Sequence, residues 1–350
     1  MERNRRMTLL MYLSPDPRVL TGKTWAAAPL FPPVFQGVSR LKYKPDIFDC
    51  KLVCKTIQEV LDAKNNNYSW GEIMDRRALD LLKLNSKIYV TWSGGVDSTG
   101  ILVSILKNWP EADLSRVVVL CNVYSAEEYP EFFNTIVKKF QVKLIETFLE
   151  QYTYDGYLVH GDAGGDQIWG SNLTGKLFRA DGSNVMKRDF KSTAPTFFNL
   201  FMPNGAGDKF LEAYEPIIDE APFPIKNLLD FIWWYSFSQN WQGSMFRMLY
   251  IKGSWKNPKE QYKKVFHFYN TDDFQHWSMF NHDKKIKDTW SSFKYPAKEY
   301  IVDYTGDLYY LEKEKTPSAQ VLWLGNMFNW AIDENWNFLD LQSSLSYLRK

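Results

Sequence analysis

The residues able to do chemistry gather in two short glycine-bearing runs. The first is Ser93-Gly94-Gly95-Val96-Asp97-Ser98-Thr99. Two glycines allow a sharp turn and a close backbone approach to a bound group. If a helix opens here, its first N–H groups are unpaired and face an anion, and the hydroxyls of Ser93, Ser98 and Thr99 add donors. Asp97 by itself repels phosphate; it fits when it holds a magnesium ion against the phosphates. The competing reading is a plain glycine turn with Ser98 as a helix cap. The second run, His160-Gly161-Asp162-Ala163-Gly164-Gly165-Asp166, brings two further carboxylates. Asp166 lies 69 positions after Asp97 (166 − 97), so only folding can bring the two together.

The elements around these runs predict an α/β fold. Lys87 to Trp92, Arg116 to Cys121, Val142 to Thr147 and Tyr157 to His160 read as strands. Helical patterns lie near 50–64, at 70–84, from Ser98 to Trp109, from Ala126 to Phe140, and from Gln167 onward. Strands alternating with helices imply βαβ units and a parallel sheet, whose ligands sit at the carboxyl ends of strands. Both glycine runs follow a strand. Residues 1–48 read as a loop-rich extension, 49–185 as the sheet domain and 186–350 as a helical, aromatic-rich portion. Helices in that last portion are expected near 208–215, 225–238, 240–252, 273–287 and 318–331.

Bulk composition bounds the function. The 350 residues carry 42 basic and 41 acidic side chains, net charge +1, so no global field draws the chain to nucleic acid or a membrane surface. Aromatic residues reach 17 %, with 14 Trp, most of them after residue 180, and read first as core filling. The three cysteines, Cys50, Cys54 and Cys121, fit a reducing compartment. Cys50 and Cys54 would share a helix face, but no second pair stands at finger-like spacing, so no zinc site is expected. The basic N-terminus is followed by an apolar stretch that stops at Ser14-Pro15-Asp16-Pro17. No signal peptide and no span of about 20 apolar residues is expected, and the chain reads as cytoplasmic.

The first run resembles the PP-loop of the ATP pyrophosphatase superfamily, and lacks the lysine of a Walker A loop. Val159-His160-Gly161-Asp162-Ala163-Gly164-Gly165-Asp166-Gln167-Ile168-Trp169-Gly170-Ser171 resembles a segment of the asparagine synthetases, shared with β-lactam synthetase and some peptide cyclases. The resemblance implies a doubly wound parallel sheet of the adenine nucleotide α-hydrolase-like type. It implies ATP as substrate, Mg²⁺ held by Asp97 and Asp166, and a carboxylate activated as an acyl-adenylate for attack by an amine or ammonia. For nucleotide contacts it implies Thr91, Trp92, Ser93, Gly94, Gly95, Asp97, Ser98, Thr99, Asn122, His160 and Gly161, with Cys121 as an apolar wall.

One extra residue between Gly161 and Asp166 places the family's acid/base position on Asp162 or Ala163; Asp162 is favoured as the base for the attacking amine. A late family lysine that neutralises charge on the phosphates and the tetrahedral intermediate maps to Glu312-Lys313-Glu314-Lys315, with Lys315 preferred over Lys313 and a solvated charge run as the alternative. Tyr269-Asn270-Thr271-Asp272-Asp273 faintly resembles a further family stretch. No counterpart of the family's glutaminase domain is expected, since that domain needs a cysteine directly after the initiator Met and residue 2 is Glu. The partners implied are a small-molecule or peptide carboxylate and an amine, or ammonia from free solution or a supplying protein.

Other members of the superfamily fit less well. Thiolases need paired cysteines, a 7-cyano-7-deazaguanine synthase relative needs four, and a lysidine synthase-like enzyme wants a basic RNA face. A binding protein that kept the fold without activity has no reason to retain both runs intact.

Overall fold

The computed structural model describes residues 9–13, 38–42, 50–145, 155–170, 173–201, 206–246, 257–314 and 330–340; the side chains of some of these, Asp162 among them, are not included in the description. Eight strands lie in this set: β1 (Leu9–Leu13), β2 (Ile88–Thr91), β3 (Val117–Cys121), β4 (Gln141–Leu144), β5 (Tyr157–His160), β6 (Val265–His267), β7 (Trp330–Asp333) and β8 (Phe338–Asp340).

Five of them form an all-parallel sheet in the order β4-β3-β2-β5-β6. The central strands are apolar along most of their length, as suits strands covered on both faces. Tyr89, Val118, Leu120, Leu158 and Ile145 make one buried cluster, and Ile88, Val90, Val117, Val119 and Val159 are buried as well. The chain runs outward from β2 through β3 to β4, then returns to the other side of β2 for β5 and β6. The order therefore reverses between β2 and β5, and the carboxyl ends of these two strands flank the crevice where parallel sheets take ligands. The first glycine run leaves β2 and the second leaves β5.

By its contacts the chain divides into two compact units. One comprises Met1–Asp62, Gly170–Phe246 and Leu324–Lys350; the other comprises Ala63–Trp169 and Arg247–Trp323. This division departs from the expected boundaries at 48 and 185. The first unit draws on both ends of the chain because β1, inside the segment expected to be loop, pairs antiparallel with β7, which pairs with β8. Its aromatic residues fill its core. All twelve residues of the helix Leu228–Gln239 are buried, as a helix apolar on every side requires, and Trp233 stacks on Phe237 at 5.0 Å. The second unit holds the parallel sheet and takes β6 from the C-terminal portion.

Several elements differ from their sequence reading. The helix expected over 126–140 is broken into Val123–Glu128, Pro130–Thr135 and a short 3-10 turn at Val137–Lys139. Pro130 has no N–H to donate and starts a new helix instead of continuing the old one. The pattern near 50–64 is helical only at Ile57–Asp62, so Cys50 and Cys54 precede the helix. The helix expected from Gln167 begins at Asp162. Trp241–Phe246 covers the described part of the helix expected at 240–252, and Asp272–Phe280 replaces the longer helix expected at 273–287. Most of the helix expected at 318–331 lies outside the described residues. No helix among the described residues is long and apolar enough to cross a membrane.

The end of β2 is anchored by Trp92, whose side chain is fully buried and stacks with the rings of Phe132 and Phe133 at 6.0 Å each. Its indole N–H donates to Thr99 Oγ1 at 3.0 Å. Emptying that space is expected to cost about 3–5 kcal/mol for Trp92→Ala. Trp92→Phe, which keeps most of the ring and loses one hydrogen bond, should cost less. Denaturant unfolding measures both, and a loss below about 1 kcal/mol for the alanine variant contradicts the anchoring role.

Candidate functional site

The loop after β2 is shaped by Gly94. Its φ is +76°, and a Cβ there would lie 2.5 Å from the Ser125 carbonyl oxygen and 2.7 Å from Glu128 Cβ. Only glycine meets both conditions. Gly95 precedes the helix Val96–Asn108, whose first turn receives no side-chain cap, so its leading N–H groups remain open to an anion. The serines knit the loop to itself. Ser93 N–H donates to Ser98 Oγ at 3.1 Å, Gly95 N–H to Ser93 Oγ at 3.3 Å, and Ser98 Oγ to the Gly95 carbonyl at 3.2 Å.

Asp97 stands in the first turn of this helix. The Tyr269 hydroxyl donates to its backbone carbonyl at 2.8 Å. Behind Tyr269 lies an aromatic cluster in which Trp70 packs on Trp169, Trp277 and Tyr269 with centroids 4.5, 4.9 and 5.9 Å apart. The second glycine run closes on the same residue. A Cβ at Gly161 would be 3.1 Å from Asp97 Cβ, and one at Gly165 would be 3.4 Å from Asp97 Cγ. The helix Asp162–Trp169 can therefore start immediately after Gly161 and lie against Asp97, at the usual cost of about 1 kcal/mol for each helical glycine.

This packing brings Asp97 and Asp166 to one ammonium. Lys294 Nζ makes a close ion pair with Asp97 Oδ2 and stands 3.7 Å from Asp166 Oδ1. The lysine side chain is 2 % exposed, while the two aspartates keep 19 % and 30 %. Asp97 Oδ1 is buried and accepts no hydrogen bond among the described residues. Lys294 has left-handed backbone, φ 64° and ψ 33°, just before the helix Tyr295–Thr305, and its N–H donates to the Lys285 carbonyl at 2.9 Å.

The sequence reading missed Lys294. Its one local signal is a lysine directly before a helix with proline in its first turn, and that pattern carries no chemistry of its own. Of the expected lysines, Lys313 flanks the loop: it pairs with Glu128 Oε1 at 3.3 Å and donates to the Glu128 carbonyl, with the Tyr129 ring 5.1 Å away. Lys315 lies outside the described residues. Asp162 is placed as the first residue of its helix.

The residues expected to touch a nucleotide divide by burial. Ser93, Gly94, Gly95, Asp97 and Gly161 line the loop region and are not fully buried, save Gly94, whose backbone packs against Ser125. Trp92 and Thr99 are fully buried and hold each other, so their side chains brace the loop from behind. Ser98, 5 % exposed, serves the loop's internal bonds. Asn122 caps the helix Val123–Glu128 by accepting from Ser125 N–H at 2.9 Å. Thr91 donates to the Val159 carbonyl at 3.3 Å and ties β2 to β5. His160 is 2 % exposed and meets the ring of His267 edge-on at 5.2 Å. Burial, then the neighbouring His160 and Arg77, hold the His267 pKa well below the ordinary histidine value. Cys121 is fully buried, and burial pushes its thiol up to about 11, which fits a wall and not a nucleophile.

No group of three or more His, Cys, Asp or Glu side chains is placed to hold a metal among the described residues. A magnesium ion does not require one, because it is commonly held by one or two carboxylates together with substrate phosphates. The open Asp97 Oδ1 and the adjacent Asp166 fit that donor set. Comparison of the chain with protein-family models, with curated proteins and with solved structures found no match to any of them.

Lys298, one turn after Lys294, is 1 % exposed. Its ammonium donates to the carbonyls of Ser291, Leu311 and Lys313, tying the helix that follows Lys294 to the segment that carries Lys313. Burial, with Lys294 and Lys313 adding to it against the opposing Glu312 and Glu314, lowers its pKa from 10.5 to about 8. Between these values the unfolded chain binds more protons than the folded one, so this residue's contribution to stability increases with pH. The stability of the wild type relative to Lys298→Met is expected to grow as pH rises through that window. Denaturant melts at several pH values measure it; a constant difference contradicts the buried-charge account.

Proposed function

We propose that the chain binds ATP at residues 93–99 and cleaves it between the α- and β-phosphates to activate a carboxylate, in the manner of the synthetase domain of asparagine synthetases. One observation carries this reading. At the crevice where the sheet order reverses, two carboxylates from separate glycine runs meet a buried lysine beside an uncapped helix N-terminus. The five-strand order also suits an adenine nucleotide α-hydrolase-like fold.

In this reading the open N–H groups of Val96 to Ser98 take the phosphate oxygens. Magnesium, when bound by Asp97 and Asp166, supplies charge neutralisation for the departing pyrophosphate. The substrate carboxylate oxygen attacks the α-phosphorus and the bond to the β-phosphate bridging oxygen breaks, giving acyl-adenylate and pyrophosphate. An amine or ammonia then attacks the acyl carbon, loses a proton and expels AMP, leaving an amide. Asp162 takes that proton. Lys294 offsets negative charge at the reacting phosphate, the role first assigned to Lys313 or Lys315, and acts where water is largely excluded.

ATP–pyrophosphate exchange with a panel of carboxylates tests the reading. Exchange dependent on one carboxylate, with AMP as the nucleotide product, is expected. Asp97→Asn should reduce it by at least about 100-fold with the fold intact by circular dichroism. Release of ADP and phosphate instead contradicts the reading. Asp162→Asn should slow amide formation more than adenylation; equal effects remove Asp162 as the base.

A further inference from the structure

The charges at Asp97 and Asp166 are already balanced in part from within the chain. Lys294 Nζ touches the first carboxylate and approaches the second at 3.7 Å. The ammonium is held in place from both ends: its side chain is 2 % exposed, and its backbone N–H is bonded to the Lys285 carbonyl. The next lysines along the chain do not compete for the aspartates. Lys298 is turned to three backbone carbonyls, and Lys313 is paired with Glu128. The three groups at the crevice therefore sum to one negative charge. A divalent cation brought alone would meet the repulsion of a buried ammonium on the same two carboxylates. A cation brought with a polyphosphate would not, because the phosphate oxygens offset both positive charges.

Resting on the ATP-dependent reading above, we infer that Lys294 is a built-in counter-ion that makes divalent-cation binding at Asp97 and Asp166 conditional on a bound polyphosphate. The cation and the nucleotide enter together, and free cation is rejected. Such coupling is reciprocal: the nucleotide strengthens the cation and the cation strengthens the nucleotide by the same factor. Asp97 Oδ1, buried and accepting no hydrogen bond among the described residues, is the oxygen that remains for the cation while Oδ2 stays on the lysine.

Mn²⁺ retained by the full chain in equilibrium dialysis, where Mn²⁺ chelated by free analogue is equal on both sides of the membrane, tests this without turnover. The wild type is expected to bind Mn²⁺ weakly alone and at least about 10-fold more tightly with α,β-methylene ATP, a non-cleavable analogue. Lys294→Met is expected to bind Mn²⁺ alone at least about 10-fold more tightly than the wild type, and Asp166→Asn added to it should remove the gain. Wild-type affinity for Mn²⁺ that is equally high with and without the analogue overturns the inference and leaves the ATP-dependent reading standing. Unchanged Mn²⁺ affinity in a folded Lys294→Met chain overturns it in the same way. Absence of Mn²⁺ binding even with the analogue overturns both. The wild-type comparison needs no variant, so a failure of Lys294→Met to fold leaves the test decisive.

Discussion

The Asp97 carboxylate is approached from several directions by segments far apart in the chain, and the tolerances around it are small. A side chain at Gly161 would press on it, and Gly165 packs against it in van der Waals contact. Tyr269 grips its backbone carbonyl, and Lys294 closes on its free end. Each contact constrains its own element: β5 and the helix after it, the segment following β6, and the start of the helix Tyr295–Thr305. The parallel sheet supplies the frame in which these converge, since β2 and β5 are neighbours and their carboxyl ends open on the same side.

Three lysines within twenty residues show how differently one side chain can be used. Lys294 neutralises carboxylates, Lys298 saturates backbone carbonyls, and Lys313 sits against an acid and two aromatic rings. All three have lost most of their contact with water, a costly state for an ammonium unless partners replace it. Their partners differ because their backbone settings differ: a left-handed residue before a helix, a residue one turn inside it, and the end of the short helix Tyr309–Glu312.

The sequence made the glycine turn of the first loop and most of the sheet legible. Glycines beside hydroxyls and a carboxylate after an apolar strand are a local signal, and β2, β3 and β5 are mostly apolar runs long enough to read, while the edge strand β4 is half polar. The fifth, β6, has only three residues and no period to detect. The direction in which Trp92 and Thr99 point is not legible, because adjacency to the loop says nothing about which way a side chain faces; in the fold both turn into the core. Lys294 was illegible for a related reason. Its importance comes from a contact across 197 positions, and nothing within a window of neighbouring residues encodes such a contact. The first unit was read as loop followed by helices because pairing of β1 with β7 joins the two ends of the chain.

That long separation also orders the birth of the site. A chain emerging from the ribosome can form β2, the glycine loop and the following helix early, because their contacts are local and quick to make. Asp97 and Asp166 would then face one another without their lysine until 128 more residues (294 − 166) have been added. During synthesis the ammonium that joins this pair arrives among the last parts of the unit to be made.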